Sequence, residues 1–202
     1  MPDLSIEKNK NNLNYKLIAG VDEAGRGPWA GPVYSAAVIL DISKIPAEIN
    51  DSKKMSEKKR DEIYSRIVSE HHYSIGVADV NEIDELNILQ ASLLSMKRAI
   101  TNLHLYPDFV LIDGVHRPNL DVDSENIIRG DSKSLSIAAA SIIAKVERDR
   151  FMKKIDEEYP CYNWKKNKGY GTKEHQNALN IHGISKHHRK SFSPIRKILS
   201  LS

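Results

Sequence analysis

One cysteine, Cys161, stands in 202 residues. An internal disulfide is therefore excluded, as is any Cys-rich zinc site, and the chain reads as a protein of a reducing compartment, the cytosol. The eight histidines form no HExxH string, which disfavours zinc hydrolase chemistry. Long apolar runs are missing too. VYSAAVIL, among the longest, falls far short of the roughly eighteen residues of a membrane span. The opening segment MPDLSIEKNKNNLNYK has no apolar core of the kind a signal peptide carries, so neither export nor membrane insertion is expected. Ten Gly and eight Pro are too few for a collagenous or low-complexity chain, and no internal repeat is present.

What is there is a globular composition, 40% hydrophobic and 28% charged, at a length that suits one domain with a terminal appendage. The net charge of +3 hides an uneven distribution. Residues 161–202 hold nine Lys or Arg and one Glu, or +8, which leaves −5 on residues 1–160. A basic segment beside an acidic body is the footprint of a protein whose tail holds a polyanion while its carboxylates act on the phosphates through metal ions. A plain solvated cationic tail has the same charge pattern.

LIAGVD (17–22) and VYSAAVIL (33–40) are β-branched runs of strand length, separated by a Gly/Pro loop as in a hairpin with an oversized connection. Helical spacing follows from Ser56 to Glu70, with Ser56 as N-cap. YSIGVADV (73–80) returns to strand character, 81–105 predicts one or two helices, and FVLID (109–113) reads as a buried strand. A short strand is expected at 126–129, a long helix from Ser134 to Tyr159 stopped by Pro160, and a short helix near 172–181. Periodicity fades after Gly183. Strands first as a meander, then alternating with helices, predict an α/β fold with a mixed sheet covered by helices.

LIAGVD ends in Asp22 with Glu23 next to it, FVLID ends in Asp113, and Asp131 precedes the long helix. Carboxylates at strand ends sit where α/β sheets bind ligands, and four oxygen donors on separate elements suit a hard cation such as Mg²⁺. Asp131 as a helix cap and Asp113-Gly114 as a turn remain alternatives at this point. Neighbours on a regular strand face opposite ways, which counts against Asp22 and Glu23 sharing a site. After them, Gly25, Arg26 and Gly27 offer exposed backbone and a guanidinium to a phosphate, without matching the P-loop or dinucleotide patterns. Tyr170, between glycines in the basic tail, offers an aromatic face to a sugar or base.

IAGVDEAGRGPWAGPVYSAAVIL, NDSKKMSEKKR, EIDELNILQAS, VLIDGVHRP, IIRGDSKSLSIAAASIIAKVERDR, NKGYGTKEH and HGISKHHRKSF occur in that order over roughly residues 17–197. Together they resemble ribonuclease HII, the bacterial type 2 ribonuclease H. The resemblance implies that Asp22, Glu23, Asp113 and Asp131 hold two divalent ions, Mg²⁺ or Mn²⁺, once substrate is bound. It implies that Gly25, Arg26 and Gly27 recognise the ribonucleotide, that Tyr170 packs on the adjoining deoxyribose, and that Ser52 and Lys53 contact substrate. The implied fold is a ribonuclease H-like mixed sheet flanked by helices, a catalytic domain over residues 1–160, with a helical C-terminal extension over 161–202 completing the substrate site. An irregular strand end at Glu23 would reconcile the adjacent acids.

The implied activity is an endonuclease for the RNA strand of RNA/DNA hybrids and for duplex DNA carrying one ribonucleotide, cut on its 5′ side by two-metal catalysis to give 3′-hydroxyl and 5′-phosphate ends. A cytoplasmic monomer without membrane contact is expected. Residues 1–15 have no counterpart in the resemblance.

Overall fold

The apolar runs on either side of the Gly/Pro loop form β1 (Ile18–Ala24) and β2 (Val33–Ile39), paired antiparallel from Ala19 with Ile39 to Ala24 with Tyr34. They lie at the centre of a five-stranded sheet in the computed structural model, which describes residues 1–200 apart from 47, 50, 51, 53 and 54. The strand order is β3-β2-β1-β4-β5, with β3 at His72–Ala78, β4 at Phe109–Asp113 and β5 at Asp123–Ile127. β3 extends the antiparallel meander, and β4 and β5 run parallel to β1. The sheet is mixed, as the order of elements predicts.

Eight helices surround it among the described residues: α1 (Ser5–Asn12), α2 (Glu57–Glu70), α3 (Val80–Leu86), α4 (Ile88–Thr101), α5 (Leu135–Glu158), α6 (Trp164–Asn167), α7 (Lys173–His182) and α8 (Ser193–Leu199). α2 and α5 cover one face of the sheet, where Ile63, Ile67, Ile142 and Ile143 pack on Ala36 and Val38. α4 covers the other, with Met96 and Ile100 against Ala19, Val21 and Ile112. At Gly20, α5 touches the sheet so closely that a Cβ would stand 2.1 Å from the Ser136 carbonyl carbon. No helix among the described residues is long and apolar enough to cross a membrane.

Differences from the sequence reading have local causes. Val80 leaves the strand for α3 because Asp79 and Glu82 form a reciprocal capping box around it. The 81–105 stretch splits at Asn87, whose positive φ of 72° ends one helix while its side chain caps the next. β5 begins and ends earlier than expected, since Arg129 at φ 57° turns the chain after Ile127. It is an edge strand, so its residues alternate between exposed and half-buried and give a weak apolar signal. α8 closes onto a small core shared by Trp164, Leu179 and Ile195 of the tail with Met152 and Ile155 of α5.

α1, over residues the sequence left unassigned, also has a packing role. Its Glu7 is buried, and Oε1 accepts from Ser134 Oγ at 2.6 Å and from the Ser136 amide at 3.0 Å. A carboxylate at the N-terminus of α5 meets orphan amides and the positive end of the helix dipole. Glu7→Gln is expected to cost about 1–2 kcal/mol of unfolding free energy, read by urea titration, with hybrid cleavage unaffected. A loss below about 0.3 kcal/mol would show that Glu7 does not anchor α5.

Candidate active site

β1 and β4 pair in register up to Val21 and Ile112, so Asp22 and Asp113 stand at the same level just beyond the last pair. Asp22 shares the face of Gly20, toward α5, where Ser141 adjoins it, and its Oδ1 accepts from the Glu23 amide at 2.7 Å. Ser141 in turn bonds Ser52, Oγ to Oγ at 2.8 Å. β1 remains regular through Glu23 and Ala24, still paired with β2, so the expected irregular strand end is not present. Glu23 nevertheless feels the Asp113 charge, since β4 is the direct neighbour of β1 and ends beside it.

Asp113 is oriented by the Gly130 amide, which donates to Oδ1 at 2.6 Å. That bond brings the 3-10 turn Gly130–Ser132 against the end of β4, and buried Asp131 with it. Asp131 does not cap the long helix. Ser134 does, accepting from the Ile137 amide at 3.2 Å.

The acids repel one another in a poorly hydrated corner. Burial raises the Asp22 carboxyl well above the usual carboxylate range, and Glu23 and Asp113 push it further. Burial raises Glu23 as well, against the pull of Arg26, whose Nη1 lies 3.2 Å from Oε1. Glu23 Oε2 is buried and has no hydrogen-bond partner among the described residues. An oxygen so placed, beside two more carboxylates, fits a divalent cation. Among the described residues no three His, Cys, Asp or Glu side chains already stand in ligating geometry, so the acids are neighbours without being fully assembled.

Next to them opens a cavity of about 270 Å³, lined by Glu23, Ala24, Gly25, Arg26, Gly27, Ser52, Ser141, Lys145, Arg148 and Tyr170. Six residues singled out from sequence thus share one cleft, Tyr170 arriving from the tail with its ring against Gly27. Asp22, Asp113 and Asp131 adjoin it without lining it. Lys53 lies outside the described residues.

Ser141, Lys145 and Arg148 were not foreseen. Their polar side chains recur at positions i, i+4 and i+7 of a helix otherwise apolar on that side, and that periodicity is the signal that marks them. Lys145 bonds both oxygens of Asp149 at 2.6 Å. Arg148 is buried, lies against Gly25 where φ is 100°, and donates to the carbonyls of Pro32, Ala30 and Lys168 at 3.1, 3.2 and 3.0 Å.

Tyr170 is held from behind by two fully buried rings. The Ser185 amide donates to His188 Nδ1 at 2.9 Å, so the His188 proton sits on Nε2 and points at His175 Nε2, 3.0 Å away. Trp164 Nε1–H also donates there, at 3.2 Å, leaving His175 Nδ1–H to bond the Tyr170 carbonyl at 3.0 Å. The relay works only with both rings neutral.

This arrangement of a mixed sheet, flanking helices and an acidic strand-end cleft is a ribonuclease H-like nuclease fold. The structure resembles ribonuclease H2 from Pyrococcus horikoshii with a TM-score of 0.76 at 25% identity, over 92% of this chain and 98% of that one. Bst-RNase HIII, solved in complex with Mn²⁺, shares the fold at TM-score 0.71 and 18% identity, over 92% of this chain and 70% of that one. The ribonuclease HII family model matches residues 19–195. Ribonuclease HII of Wolbachia pipientis subsp. Culex pipiens is 55% identical over 96% of this chain and 98% of its own. The chain belongs to the ribonuclease HII family and is a ribonuclease H, a hydrolase of the endonuclease type.

The histidine pair gives a pH signature. Burial drives His188 down to about 3 and lowers His175 as well. Both bases bind a proton more readily unfolded than folded, so their contribution is intact above the unfolded value near 6.5 and erodes as pH falls toward about 3. His188 alone costs about 1.4 kcal/mol per pH unit in that window. Asp22 and Glu23, raised by burial, act in the opposite sense, so the measurement is a difference. The stability advantage of the unaltered chain over His188→Asn, from urea titrations at pH 5 to 7.5, should shrink by about 1.4 kcal/mol per unit below pH ~6.5. A pH-independent difference would mean the ring is not held neutral.

Proposed function

We propose that the chain cuts the RNA strand of RNA/DNA hybrids and, in duplex DNA, cuts on the 5′ side of a single embedded ribonucleotide. Products carry 3′-hydroxyl and 5′-phosphate ends. The carrying observation is that Glu23, with its unpartnered buried oxygen, lines the same cavity as Gly25, Arg26, Gly27, Ser52 and Tyr170. Phosphodiester chemistry and sugar recognition would thus be adjacent.

Asp22, Glu23, Asp113 and Asp131 would hold two divalent ions, Mg²⁺ or Mn²⁺, with substrate bound. Such ions supply an activated water on one side of the phosphorus and stabilisation of the leaving 3′-oxygen on the other. The chain's own part is positioning. The Asp22–Glu23 pair and Asp113 gather negative charge where a cation must sit, and the Gly130 amide fixes the Asp113 rotamer. Ser141 lies beside Asp22 and bonds Ser52, so a substrate contact at Ser52 would fall next to the acids.

Arg26, half-exposed at the rim, meets a backbone phosphate, and the loop amides meet the ribose 2′-hydroxyl, which only RNA carries. The Tyr170 ring, half-exposed, packs on the deoxyribose that follows. On this reading residues 161–202 act as an extension that completes the substrate site. All these groups come from one chain, in keeping with a monomeric enzyme.

Asp113→Asn keeps the shape and removes the charge, so it should abolish cleavage of a hybrid while substrate binding persists, with Ca²⁺ likewise supporting binding but little turnover. Single-turnover rates at saturating Mg²⁺ check this. Retention of more than about a tenth of the wild-type rate, a loss of about 1.4 kcal/mol or less, would remove Asp113 from the metal site.

Tyr170→Ala should lose more on a single embedded ribonucleotide than on a continuous hybrid, because only the former always presents a ribose followed by a deoxyribose. Ring packing of about 1–3 kcal/mol, by analogy with base stacking, gives a roughly 5- to 150-fold loss in kcat/KM. Equal losses on the two substrates would mean the ring positions substrate generally.

A further inference from the structure

Arg189 of the tail is fully buried, and the four hydrogen bonds of its guanidinium all end on carbonyl oxygens of the 25–32 segment. Nε donates to Gly31 at 2.8 Å, Nη1 to Arg26 at 2.9 Å, and Nη2 to Gly25 at 2.5 Å and Pro32 at 3.4 Å. An isolated antiparallel bridge ties the same two segments together: Ala30 pairs with His188, and the Arg189 amide donates to Trp29 at 2.9 Å. Arg148 grips the loop beside it through Ala30 and Pro32. Burial lowers both guanidinium pKa values, to about 10 for Arg148 and, with repulsion from Arg148, to about 9 for Arg189, so both stay charged at neutral pH.

The bonds to Gly25 and Arg26 have a geometric consequence. In a trans peptide the C=O and the following N–H point in opposite directions across one rigid plane. Drawing the Gly25 carbonyl toward Arg189 therefore turns the Arg26 N–H the other way, and drawing in the Arg26 carbonyl does the same for the Gly27 N–H. Arg189 is fully buried and does not line the cavity, whereas Gly25, Arg26 and Gly27 do. Neither amide has a hydrogen-bond partner among the described residues.

We propose that Arg189 is a positioning residue that sets the Arg26 and Gly27 amides to face the cavity as paired donors for a ribose hydroxyl, and so governs RNA-versus-DNA discrimination without touching substrate. This rests on the reading of the loop given above. A planar fork is required, because one ammonium cannot span the carbonyls of Gly25, Arg26 and Gly31 at once.

The test uses the whole chain in Ca²⁺ and two duplexes of one sequence, with and without a single ribonucleotide. Arg189→Lys, which keeps the charge, should lower the preference for the ribonucleotide duplex about five- to tenfold, as expected for weakened amide hydrogen bonds, with affinity for the all-DNA duplex within about twofold of wild type. An unchanged preference, or equal losses on both duplexes, overturns the inference. Amide NMR of the unaltered protein gives a reading independent of whether the variant folds. The Arg26 and Gly27 resonances should move on adding the ribonucleotide duplex and much less on adding all-DNA, and identical shifts with both overturn it. Absence of any preference in the unaltered protein would instead overturn the reading of the loop, and the inference with it.

Discussion

Helix α5 lies on β1 at a separation only a hydrogen side chain permits, and the rest of the site is measured from that contact. At Gly20 any Cβ would collide with the Ser136 backbone, so the helix axis is fixed relative to the strand that ends in the acids. Along one stripe from that point come Ser141 beside Asp22, Lys145 and Arg148 on the cavity, and Met152 under the tail. Glu7 fastens the near end of the same helix. A small displacement of α5 would therefore move the hydroxyl beside Asp22, the loop clamp and the tail's core together. Misplacement by about 1 Å is enough to cost an enzyme on the order of 100-fold in rate.

The charges are arranged by depth. Carboxylates crowd one wall, where burial first and neighbouring negative charge second raise the proton affinity of Asp22 and Glu23, so the protein carries an electrostatic cost there that bound cations would relieve. Arg148, on the cavity lining, and Arg189, buried behind it, bring two guanidiniums whose bonds end on carbonyl dipoles. Neutral partners satisfy the donors without cancelling the charge, so a positive potential persists under the loop where a polyanion would lie. The tail's basicity thus has two parts. Arg189 shapes the interior, while exposed residues such as Lys165, Lys166 and Lys190 are available to a nucleic-acid backbone.

Much of this was legible in the sequence because the strongest signals are local. The runs ending in Asp22 and Asp113 are continuous and apolar, buried in a sheet with helices on both faces, and Ser56, Ser134 and Thr172 announce their helices by capping them. β5 and α1 were harder to read, since an edge strand and a polar surface helix bury too few apolar groups to show a period. The supporting residues of the site were harder still. Arg189 acts on residues far back in the sequence, and His175 and His188 matter through tautomers that only their neighbours define. Such roles depend on which backbone group lies opposite, and spacing along one element carries no record of it. The expected irregularity at Glu23 is not what the chain uses: β1 stays regular and paired with β2 there, and Asp22 and Glu23 both feel the Asp113 charge from the neighbouring strand.

The bond from Arg189 to Gly25 spans 164 positions of sequence. During synthesis the loop that would sense ribose leaves the ribosome long before the residue that holds it, and contacts of such separation form late because closing long segments is entropically slow. A nascent chain bearing all four acids would accordingly lack its discriminating surface until the tail has emerged and docked.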